Sequence, residues 1–177
     1  AFDDVLGVVA QDIRTDLPLI HRVEQLELPG LSVDAATYVK MKQLCDSIDA
    51  KKAMVGPDWW NRHFYGFVVD RYEAQQKGDV TNSVEMHVLR LGDVAIATNP
   101  YELYLDYGVQ IQGRSPAQQT ILIQLAAATD FAYYVPTQRA IEGGGYSAEV
   151  THTLVGPEGA QLLVERTVNT ISKLWSK

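Results

Sequence analysis

The sequence predicts an α/β fold, a mixed β-sheet packed by amphipathic helices, on three observations. Apolar residues recur at helical spacing in four separate stretches, an alternating run turns at a Gly-Asp pair into a short apolar run, and a short run after residue 119 is almost wholly apolar. A chain of 177 residues is long enough for one domain that buries about 70 % of its unfolded surface, so a single domain over residues 1–177 is expected. No fixed-period repeat and no low-complexity segment divides it.

From Phe2 to Leu17, the apolar residues Phe2, Leu6, Val9 and Ile13 form the stripe of a helix ending near Pro18. His21 to Leu28 alternates and reads as a strand closed by Pro29-Gly30. Asp34 can cap a second helix whose buried face holds Tyr38, Met41, Leu44, Cys45 and Ile48. Gly56-Pro57-Asp58 opens a third, with proline at the first helical position, and Trp60, Phe64, Phe67, Val68 and Tyr72 follow as a core-facing stripe. Val84, Met86 and Val88 alternate with Glu85 and His87, turn at Leu91-Gly92-Asp93 and continue as Val94–Thr98, which is a β-hairpin.

The run Thr120–Ala126 has the pattern of a strand covered on both faces and therefore central in the sheet. Gly143-Gly144-Gly145 predicts a mobile or tightly approached loop. Gly156-Pro157-Glu158 starts the last helix, which carries Ala160, Leu163, Val164, Val168, Ile171, Leu174 and Trp175 on one side.

Composition removes several function classes. A net charge of -7 and pI near 5.0, without clustered Lys and Arg, argue against a nucleic-acid partner. No apolar stretch approaches the roughly 20 residues of a membrane span, and Ala1-Phe2-Asp3-Asp4 lacks the basic-then-apolar layout of a secretory signal. The chain also enters helical periodicity without a methionine, which suggests a piece of something longer. Its one cysteine, Cys45, falls on an apolar helix face and reads as a small hydrophobe. His21, His63, His87 and His152 show no paired metal-binding spacing, and Gly-x-Ser-x-Gly, Cys-x-x-Cys and phosphate-cradling glycine motifs are missing. The sequence therefore offers no candidate nucleophile.

Chemistry is expected instead at two strand ends, where α/β sheets build their sites. One run finishes in Thr98-Asn99-Pro100-Tyr101-Glu102 and another in Tyr133-Tyr134-Val135-Pro136-Thr137. Glu102 has two readings. Asn99-Pro100-Tyr101-Glu102 has the form of a capping box, with Asn99 capping a helix and Glu102 reaching back to it. Alternatively Glu102 is a site carboxylate, kept ionised by that helix terminus. Tyr134 is either a packing aromatic or an unusual ligand whose phenol must lose its proton.

The order Leu91–Glu102, then Tyr134-Val135-Pro136-Thr137, then Gly144-Gly145-Tyr146 resembles the carboxyl-terminal part of the catalytic domain of the neutral/alkaline non-lysosomal ceramidases, and more closely their shorter bacterial relatives. The resemblance spans roughly Glu85 to Trp175. It implies the later portion of a zinc-dependent amidohydrolase that cleaves an N-acyl amide such as ceramide. Glu102 and Tyr134 match two zinc ligands of that family, and Tyr146 matches a substrate-adjacent tyrosine. Ser147 stands where the family has a glutamate, and Leu103-Tyr104-Leu105 replaces Phe-Thr-Thr, which opens the substrate to something other than ceramide.

The family's histidine ligands and serine nucleophile belong to upstream motifs that have no match between Ala1 and Lys177. The resemblance thus implies a missing upstream segment as partner, and an exported or periplasmic setting. Two protein ligands hold zinc weakly, so the isolated chain is expected to bind no stoichiometric zinc and to hydrolyse no amide. The alternative is a non-catalytic α/β scaffold or interaction module of the same fold.

Overall fold

A computed structural model describes residues 2–78, 81–126 and 133–176. Its helices are α1 (Phe2–Val9), α2 (Ala35–Asp49), α3 (Asp58–Gln75), α4 (Leu105–Arg114), α5 (Gln138–Gly143) and α6 (Pro157–Trp175). Its strands are β1 (Leu19–Pro29), β2 (Thr81–Leu91), β3 (Val94–Thr98), β4 (Glu102–Leu103), β5 (Gln119–Ile123) and β6 (Tyr134–Val135), and a 3-10 turn covers Tyr146–Ala148. The α/β class is as expected: a mixed sheet in the order β1-β2-β3-β5, with packing helices. β1, β2 and β3 pair antiparallel, and β5 returns parallel to β3.

Strand alternation sends Leu26, Leu28, Val84, Met86, Val88, Ala95 and Ala97 to one face, where α6 covers them. The stripe predicted for α6 does this work: Ala160, Leu163, Val164, Val168, Ile171 and Leu174 are all buried. Burying a side chain of this size contributes about 2 kcal/mol, so this face dominates stability. Arg90 of β2 closes the far end of α6 by donating to the Leu174 carbonyl at 2.5 Å, with its guanidinium 4.3 Å from the Trp175 ring centre. α2 and α3 form a helical hairpin around Met41 and Val68, with Tyr38 stacked on Tyr72 at 4.3 Å. Asp34 caps α2 by accepting from the Thr37 N–H at 2.8 Å, and Cys45 is buried as expected.

Several expectations fail for identifiable reasons. α1 stops at Val9 because the following segment is tied to the β2–β3 turn, through Arg14 to Asp93 at 2.7 Å and the Gly92 N–H to the Pro18 carbonyl at 2.9 Å. Pro57 is the N-cap of α3 rather than its first residue. Trp60, counted as core, is exposed while Val68 is fully buried, so the inward stripe of α3 is narrower than its run of aromatics. β5 is an edge strand, not a central one. Its outward residues Ile121 and Ile123 lie on a sheet face that no described element covers, beside Val23, Leu19 and Leu91. The approach expected around Gly143–Gly145 is not tight: Gly144 and Gly145 have φ of 70° and 119°, and no atom lies within 4 Å of where a Cβ would stand. Backbone conformation, not crowding, requires glycine there.

Candidate functional site

The two strand ends meet in a second, two-stranded parallel sheet. β4 and β6 pair there with Glu102 directly opposite Tyr134 and Leu103 opposite Val135. The Glu102 N–H donates to the Tyr133 carbonyl at 3.0 Å and the Tyr104 N–H to the Val135 carbonyl at 3.3 Å. Opposed residues on adjacent strands project to one face, so the carboxylate and the phenol are neighbours. Their proximity registers electrostatically. The Glu102 carboxylate raises the Tyr134 phenol above its ordinary range, and burial, the Tyr146 and Tyr104 hydroxyls and a hydrogen bond to Glu102 reinforce it.

The capping-box reading of Asn99–Glu102 is overturned. α4 begins three residues later with Tyr104 as N-cap, and Glu102 lies in a strand. Asn99 is buried, and its Oδ1 accepts from the Tyr101 N–H at 2.9 Å, so it closes an Asx turn rather than a helix. Asparagine favours both structures, and the turn won because β6 offers Glu102 and Tyr104 their main-chain partners. A loop after β5 completes the support. Gln124 accepts from the Leu103 N–H at 2.6 Å, and Leu125, at φ 58°, donates its N–H to the Tyr101 carbonyl at 3.3 Å. A leucine in the left-handed region stores about 1–3 kcal/mol of strain, which such a framework must hold. Residues 127–132, which carry most of the apolar run expected before Tyr134, lie outside the described residues.

Tyr146 belongs to the same cluster. Its ring stands edge-on to Tyr134, with centres 6.0 Å apart, and Ser147 beside it shares a 2.6 Å hydrogen bond with the Tyr104 hydroxyl. The other side of Tyr146 meets His152, ring centres 4.1 Å apart, and His152 meets Phe64 of α3 at 4.9 Å. The His152 carbonyl accepts from the Tyr134 N–H at 3.0 Å.

Sequence reasoning missed His152. It has no second histidine at metal-binding spacing, Glu149 three residues before it was not singled out, and only the fold seats it between Tyr146 and Phe64 of α3. Burial depresses the His152 imidazole below its ordinary value of 6.5, partly offset by Glu149. Nδ1 contacts the Thr151 hydroxyl at 3.0 Å, and Nε2 bonds none of the described residues.

A depressed folded-state value means that the unfolded chain takes up the proton first, so His152 erodes stability as the pH falls below 6.5. Urea denaturation between pH 7 and 5 should therefore show a loss of stability that shrinks when His152 is replaced by Gln. An identical pH dependence in wild type and His152→Gln would show that the imidazole is not held neutral.

The structure also pairs two histidines that lie far apart in sequence. His21 and His87 meet on the outer sheet face at 2.9 Å, and Glu85 takes the other nitrogen of His87 at 2.8 Å. Among the described residues no group of three or more His, Cys, Asp or Glu is arranged to hold a metal ion, and no helix is long and apolar enough to cross a membrane. No family model, no curated protein and no solved structure matches the chain.

Proposed function

We propose that this chain is the ligand-contributing portion of a metal-dependent amidohydrolase acting on an N-acyl amide or related lipid, with Glu102 and Tyr134 as two protein ligands and Tyr146 beside the substrate. The observation that carries the reading is the direct opposition of Glu102 and Tyr134 across β4 and β6. Two residues separated by 31 intervening positions converge on one face, as the resemblance to neutral ceramidases requires. A carboxylate and a phenol are hard oxygen donors suited to zinc, which when bound polarises the substrate carbonyl as a Lewis acid. Tyr134 holds its proton because of Glu102 and gives it up only to a cation. Tyr146, on the open side, orients the substrate.

The remaining ligands and the nucleophile come from the missing upstream segment. Ile121 and Ile123 of β5, the strand that runs parallel to β3, are exposed on the outer face of the sheet and would offer that segment an apolar contact.

The test is a zinc titration of the chain, followed by ultraviolet difference absorbance of tyrosinate. Millimolar zinc should produce a tyrosinate band in wild type and none in Tyr134→Phe or Glu102→Gln. A band that survives in both variants, or none in wild type, would reduce the pair to a cross-strand contact in a non-catalytic scaffold.

A further inference from the structure

We infer that the cavity between α3 and the start of β2 is a binding site for an organic carboxylate with a short apolar body, and that Arg71 is its counter-cation. The cavity measures about 280 Å³, and Phe67, Leu31, Ala74 and Leu154 supply its apolar wall. That volume lies near the lower end of ordinary small-molecule pockets, about 300 Å³, so a short acid fits and a long chain does not.

Arg71 is the feature that makes it a site. Its Nη1 donates to the Thr153 carbonyl at 2.5 Å and its Nη2 to the Val150 carbonyl at 2.9 Å. A guanidinium carries five N–H donors, so each Nη keeps one more, while the Nε N–H is sealed from solvent without an acceptor. Among the described residues no carboxylate pairs with it. Burial pulls it down to about 10, opposed in part by Tyr133, and the Phe67 ring lies 5.9 Å from the guanidinium carbon.

Asp70, on the same wall, does not fill the role. Its charge acts on Arg62 and Cys45 on the other side of α3. Gln75 is likewise committed, accepting from the Val33 N–H at 2.9 Å and donating to the Val33 carbonyl at 2.7 Å. The Asn82 amide lines the opposite wall and bonds no described residue, which leaves a neutral donor facing the cation's side of the cavity. A planar guanidinium with spare donors selects a planar two-oxygen anion, and the apolar wall selects its short tail. The site is separate from Glu102 and Tyr134, and nothing in this inference depends on the hydrolase reading.

Hexanoate, hexan-1-ol and hexylamine, titrated into the isotope-labelled chain and followed by NMR, test it. Hexanoate should bind saturably and move the resonances of Leu31, Phe67 and Asn82, with hexanol at least about tenfold weaker and hexylamine inert; tenfold corresponds to about 1.4 kcal/mol. Arg71→Met should remove the preference for the acid. Because that change also frees the Val150 and Thr153 carbonyls, Ala74→Phe serves as the second variant. It fills the cavity, leaves both Arg71 bonds intact and should weaken hexanoate at least about tenfold. Equal binding of hexanol and hexanoate, unaltered hexanoate affinity in Ala74→Phe, or no saturable shift in wild type would each overturn the inference.

Discussion

Replacing Gly159 with Val is expected to destabilise the chain by about 3 kcal/mol and to lower its thermal midpoint by roughly 10 °C. Gly159 lies in the first turn of α6, where the helix crosses the end of β1. A Cβ there would stand 2.6 Å from the Pro29 carbonyl oxygen and 2.5 Å from Cγ1 of Val155. The valine can rotate, but the carbonyl is backbone of the strand that α6 covers, so relief requires moving α6 off the sheet.

That movement would loosen the layer made by Leu163, Val164 and Ile171, all within 1 % of full burial. The higher helix propensity of a residue with a Cβ opposes the change but amounts to well under 1 kcal/mol for valine. Gly113 in α4 is the control, since an added Cβ meets nothing within 4 Å. Gly113→Ala should stabilise by about 0.5–1 kcal/mol. Chemical denaturation of the two variants reads both values. Equal midpoints for Gly159→Val and wild type would mean that α6 does not approach β1 closely.

Periodicity made α6, β2 and β3 legible because one face of each meets a single partner and the pattern survives burial intact. α1 failed for the opposite reason. Leu6, Val9 and Ile13 of its expected stripe are exposed, and the Arg14–Asp93 contact that ends its reach is a long-range pair no local pattern reveals. β5 was misplaced because an apolar run says that a strand is covered on both faces but not by what. Among the described residues β5 pairs only with β3, which puts it at the edge, and nothing described covers its outer face, which leaves Ile121 and Ile123 exposed.

The candidate site was legible in its residues and not in its geometry. Glu102 and Tyr134 could be singled out at strand ends, yet the local signal at Asn99 pointed to a helix cap. Pairing with β6 decided otherwise by satisfying the main chain from Glu102 to Tyr104. The strand holds Glu102 in direct register with Tyr134, an arrangement the capping box would have forbidden by turning the carboxylate back on its own helix. His152 and its ring contacts with Tyr146 and with Phe64 of α3 had no sequence signal, because which rings meet follows only from the fold.

In a longer polypeptide that supplies the remaining ligands, Glu102→Gln is expected to lower amide hydrolysis about a thousandfold while leaving the thermal midpoint near wild type. Loss of a carboxylate ligand removes several kcal/mol of charge stabilisation at a Lewis-acid centre, and about 4 kcal/mol corresponds to that factor. Stability should hold because the Glu102 backbone N–H keeps its bond to the Tyr133 carbonyl and a glutamine amide can still bond the Tyr134 hydroxyl in place of the carboxylate. The substitution also removes the charge that raises the Tyr134 phenol, so alkaline titration of the variant should show one tyrosine ionising at lower pH than in wild type. The two readouts separate the causes. Lost hydrolysis together with the shifted phenol places Glu102 at the reacting centre beside Tyr134. A shifted phenol with undiminished hydrolysis leaves the pair intact but removes it from the chemistry.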